Sequence, residues 1–79
     1  MEAWVLYKKA KDQDRELLNI FTCRPNIYDL EYYLRARLFP NELERAFILP
    51  GINRKGVSYW LQPVRMEFRN HLINVVTEE

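Results

Sequence analysis

Three runs of the chain place large apolar side chains at consecutive positions: Trp4-Val5-Leu6-Tyr7, Phe47-Ile48-Leu49 and Tyr59-Trp60-Leu61. Neighbouring residues of a strand point to opposite faces of a sheet, so strands of this kind are apolar on both sides. The same sequence offers one clear amphipathic helix, and one helix covers one face only. The far face is therefore closed by a second layer from the C-terminal tail, by a curl of the small sheet, or by a partner. The fold class that follows is α+β, a small antiparallel sheet of four to six strands with one helix packed on it.

The chain has 79 residues, enough for a single domain spanning 1–79 and for a thin core. Its 48% hydrophobic content is too high for disorder. The single cysteine, Cys23, cannot close a disulfide within the chain, which points to a reducing compartment and hence the cytoplasm. No apolar run approaches the ~20 residues of a membrane span. The sequence also passes directly into Trp4 without the basic region of a signal peptide.

Along the chain, residues 3–9 are rich in β-branched and aromatic side chains and read as a strand. A charged turn follows, and residues 15–22 return as the second strand of a hairpin. Pro25 stops it. Asn26 is a helix N-cap with Asp29 three residues on, and Ile27, Leu30, Leu34 and Leu38 recur at three- and four-residue steps. This spacing predicts a helix over about 26–39, ended by Phe39-Pro40-Asn41.

Residues 44–49 read as a third strand stopped by Pro50-Gly51, residues 52–56 as a loop, and residues 57–61 as a fourth strand. Pro63 has no N–H to donate, so a strand through it lies at an edge or carries a bulge there. Val64, Met66 and Phe68 alternate with Arg65, Glu67 and Arg69, and Asn70-His71 is a turn into Leu72-Ile73-Asn74-Val75-Val76. The 63–77 segment is thus a strand hairpin. A second helix with Pro63 at its first position is the alternative, disfavoured by the β-branched Ile73, Val75 and Val76.

Catalytic and metal-binding groups are sparse. Cys23 and His71 are the only thiol and imidazole, and no glycine-rich elbow surrounds either, so Cys23 reads as a small buried hydrophobe. One His and one Cys cannot complete a zinc site. Asp12, Asp14 and Glu16 lack the glycine and closing glutamate of a calcium loop. The expectation is a protein that is not an enzyme and has no cofactor, no metal and no membrane contact.

Two binding surfaces remain. Tyr28, Tyr32 and Arg35 share the flank of the helix, a combination enriched in interfaces, and Trp4 and Trp60 add apolar area for a protein partner or a second copy. The alternative is weak nucleic-acid binding. From Arg45 to His71, the cations Arg45, Arg54, Lys55, Arg65 and Arg69 face Glu67 alone. Arg54, Lys55, Arg65 and Arg69 with Tyr59 would supply charge and a stacking ring, although the whole chain carries only +1.

Residues 3–38 also resemble small uncharacterised proteins of phages and mobile elements. The resemblance is carried by the strand Trp4-Val5-Leu6-Tyr7, a charged turn, a second strand ending Phe21-Thr22, and the helix Ile27 to Leu38. Arg24-Pro25 before the helix departs from that pattern. The resemblance implies a short accessory or host-takeover protein that acts by binding, and it transfers no site residues. The doubly apolar strands and the absence of catalytic groups lead in turn to an inhibitor or adaptor, or a homodimer.

Overall fold

The computed structural model describes residues 2–69 and 72–77, with side chains as far as Met66. Its elements are β1 (Glu2–Ala10), β2 (Glu16–Phe21), α1 (Ile27–Leu34), α2 (Pro40–Ala46), β3 (Ile52–Arg54), β4 (Val57–Arg69) and β5 (Leu72–Thr77). The strands pair antiparallel in the order β2-β1-β4-β3, and β5 pairs with the distal half of β4. The chain is an α+β fold, with two helices where the spacing of apolar residues pointed to one.

β1 forms the centre because both its faces can be buried: Leu6 on one and Val5 on the other are fully buried. It takes β2 on one side and the first part of β4 on the other. Between Leu6 and Tyr7 the β1–β2 register slips by one residue, so Leu18 is the extra residue of a bulge and packs into the helix-side core. At the other end, Lys55 and Gly56, both at positive φ, make the two-residue turn that joins β3 to β4.

α1 starts as the sequence predicts. Asn26 Oδ1 accepts from the Asp29 N–H at 3.0 Å and Asp29 Oδ2 accepts from the Asn26 N–H at 2.9 Å, a reciprocal cap. The helix stops at Leu34, earlier than the predicted 39, because Arg35 takes the left-handed conformation (φ 52°, ψ 39°). Leu38 still reaches the core, and its N–H is satisfied by Glu31 Oε2 at 3.2 Å.

The strand expected over 44–49 is instead α2 and the turn after it. Pro40 takes the first helical position, where its missing N–H costs nothing. Glu42 lies in the first turn, at the positive end of the helix dipole, and its Oε2 accepts from the Phe39 N–H at 3.0 Å. Leu43, Ala46 and Phe47 then turn towards the core. The loop expected over 52–56 contains the short β3. In the tail the strand reading holds for the backbone of β4 and β5 and the helical alternative does not; the Asn70-His71 turn lies outside the described residues.

Two clusters occupy the two faces of the sheet. Leu6, Leu30, Leu34, Leu38, Ile52 and Leu61 gather under the helices. Ala3, Val5, Tyr7, Val64 and Met66 form the second cluster, with Ile20 and Trp60 packed against it. Tyr7 is held between the Trp60 ring, 5.5 Å away, and the Arg15 guanidinium, 4.5 Å from the ring centre. Val5 at 0% exposure and Val64 at 1% correct the notion of a bare far face: its centre is closed within one chain.

Candidate functional site

Large apolar residues that the fold leaves in solvent mark where a soluble surface departs from its ordinary make-up. Ile48 (67% exposed) and Leu49 (72%) follow α2 in a turn, beside the half-buried Phe47. That turn is anchored. Arg24 Nη2 donates to Glu44 Oε2 at 3.0 Å while its guanidinium lies 4.1 Å from the Phe47 ring centre. On the far side of the turn Gly51 (φ 88°) passes so close to β4 that a Cβ there would lie 2.1 Å from the Tyr59 carbonyl oxygen.

The turn stands over a stretch of β4 with one neighbour. β3 pairs with β4 only up to Tyr59 and β5 only from Val64 onward, so Trp60 to Pro63 have β1 alone as a partner strand among the described residues. Pro63 sits at such an open edge, as its missing N–H requires. Phe47, Ile48 and Leu49 on one side and Trp60, Leu61 and Pro63 on the other line a groove of about 620 Å³. Trp60 Nε1 donates to Gln62 Oε1 at 3.4 Å, which turns its polar edge aside.

A second concavity lies between the C-terminal end of α1 and the sheet, about 520 Å³ in volume. Its floor is Lys8, Leu18 and Tyr59, and its wall is Tyr32, Tyr33 and Arg35. Tyr33 stands edge-on to Phe21 (6.1 Å, 89°) and to Tyr32 (5.1 Å, 89°).

The predicted protein-binding residues are divided by the fold. Tyr28 and Tyr32, each 76% exposed, and Arg35 do share the outer flank of α1. Trp4 is half-buried against the helix-side core and Trp60 lies on the opposite face. The predicted nucleic-acid residues do not gather. Arg54 is engaged by Glu42, Tyr59 is buried at 9% exposure, Lys55 is at the β3–β4 turn, and Arg65 is at the other end of β4. The Arg69 side chain lies outside the described residues.

Cys23, expected to be buried, is exposed in the bend after β2. His71 lies outside the described residues. Among the described residues no three of His, Cys, Asp and Glu group as metal ligands would, and no helix is long and apolar enough to cross a membrane. Sequence reasoning did not single out the Phe47–Leu49 turn as a surface, having assigned those residues to a strand. The signal was present in Pro40 and Glu42, which mark a helix start and so push the apolar triplet out beyond the helix end.

Comparison with protein-family models, curated proteins and solved structures finds no match to this chain.

Proposed function

We propose that this protein is a non-enzymatic protein-binding module of the cytoplasm, an inhibitor or adaptor of the phage type, which docks an apolar segment of a partner in the groove between the Phe47–Leu49 turn and β4. One observation carries the reading: Ile48 and Leu49 stand 67% and 72% exposed on a turn that Arg24 and Gly51 hold in place. A fixed apolar surface loses little entropy on binding, whereas a floppy one loses much. Trp60 at the base supplies the rigid aromatic surface on which binding energy concentrates.

Side chains rather than backbone make the contact, because Pro63 removes a donor from the open edge. The partner segment therefore need not be a strand. Selection from a displayed random-peptide library tests the proposal, with the wild-type chain and an Ile48→Asp/Leu49→Asp variant as parallel baits. Enrichment of apolar peptides on the wild type alone is expected. Equal recovery on both, or none on either, overturns it. Sedimentation at micromolar concentration identifies the case in which the partner is a second copy, since the variant is then monomeric where the wild type is not.

A further inference from the structure

We propose that the cleft between the end of α1 and the sheet binds a phosphorylated nucleoside. This site is separate from the Phe47–Leu49 groove and does not depend on it.

Charge comes first. Lys8 and Arg35 line the cleft, and among the described residues no carboxylate lines it. Lys8 is half-buried on β1. The acid nearest along the sheet is Glu16, opposite Lys8 on β2, but it is exposed and the two form no ion pair. Arg35 has Glu31 one helical turn behind it, and Glu31 is taken by the Leu38 N–H at 3.2 Å. Among the described residues neither cation has a carboxylate partner, and a phosphate dianion would balance both.

The rest of the lining selects what the phosphate is attached to. Tyr32 and Tyr33 stand on the wall of a space of about 520 Å³, inside the ~300–1,000 Å³ of small-molecule sites, with the buried Tyr59 beneath. Aromatic walls favour a flat ligand that stacks. The cleft also receives the C-terminal end of α1, whose last carbonyls lack helical donors and carry partial negative charge. Acceptors of that kind suit the exocyclic amine of a base. Cations for phosphate, rings for stacking and carbonyls for an amine together describe an amine-bearing nucleotide.

Amide chemical shifts of the full chain, recorded at low salt with AMP, CMP, UMP and inorganic phosphate as probes, test this. Saturable shifts at Lys8, Tyr32, Tyr33, Arg35 and Tyr59 are expected with AMP or CMP, at least about tenfold tighter than with inorganic phosphate. Lys8→Gln and Arg35→Gln should each weaken AMP binding by about tenfold, the loss of one charge-assisted contact, while leaving the spectrum folded. A short single-stranded oligonucleotide distinguishes a free nucleotide from one unit of a strand: tighter binding at the same residues assigns the strand as the source. The proposal is overturned if no probe shifts these residues by about 5 mM, if phosphate alone binds as well as AMP, or if both variants bind like the wild type.

Discussion

The guanidinium of Arg54 in β3 donates to the carboxylate of Glu42 in α2, and the other oxygen of that carboxylate accepts from the Phe39 N–H. One side chain thereby ties an edge strand, the start of a short helix and the connection from α1. The Arg54 hydrogen bond is the main cause that holds the Glu42 carboxyl below its ordinary pKa, with the Phe39 N–H second. A depressed carboxylate stabilises the fold above the ordinary glutamate pKa of about 4.3, and the benefit disappears as pH falls through the lower folded value. Thermal melts of wild type and Glu42→Gln should differ by a few degrees at neutral pH and converge in acid. Parallel curves at every pH would show that the pair does not contribute.

The same relationship predicts coupling between the two residues. In a double-mutant cycle, Glu42→Gln and Arg54→Gln should destabilise by less together than the sum of the two singles, because either change alone breaks the shared bond. Urea midpoints read this directly, and strict additivity would separate the two residues.

Gly51 and Gly56 should respond differently to alanine although both have positive φ, 88° and 79°. A Cβ at Gly56 meets nothing within 4 Å, so only the left-handed strain of about 1–2 kcal/mol applies. At Gly51 the added atom falls on a backbone oxygen, and backbone cannot swing aside. Gly51→Ala should therefore cost more than about 2 kcal/mol, measured by chemical denaturation. Equal costs would mean that the Gly51 turn gives way freely.

Core truncation ranks with burial. Leu6 is fully buried beneath both helices, and Leu6→Ala should cost about 2–5 kcal/mol. A chain of this size has only ~4–12 kcal/mol in all, so the variant should be close to unfolding at 37 °C by circular dichroism. Removing the α1 cap by Asn26→Ala should cost less, ~0.5–2 kcal/mol. Ile48→Asp and Leu49→Asp, both at exposed positions, should stay within about 0.5 kcal/mol of wild type. A large loss from either would place those side chains in the core.

The parts legible in the sequence were those whose local signals agree. The β1–β2 hairpin is bounded by a charged turn, and the start of α1 is written in Asn26 and Asp29 three residues apart. The end of α1 was not legible, since Leu38 keeps the helical spacing while the chain has already turned left-handed at Arg35. α2 was missed because Phe39-Pro40-Asn41 reads equally as a helix stop and a helix start, and the apolar triplet after it imitates a strand. β3 has only three residues, too few for a period to show. The closed far face could not be read either, as it depends on residues from β1 and β4 that only the pairing register brings together. Of the candidate surfaces, the Tyr28 and Tyr32 flank was visible from helical spacing. The Lys8–Arg35 cleft was not, because its charges are far apart in sequence.

Pro63 lies in the stretch from Trp60 to Pro63 where β4 has β1 alone beside it among the described residues. A sheet border with free donors and acceptors invites copies of the same chain to stack strand upon strand, the route to fibrils. Placing a residue without a donor in that short gap spoils the template at its weakest point. Replacing Pro63 with a β-former such as Val would restore the donor there and, beside Ile48 and Leu49, make the chain more prone to precipitate.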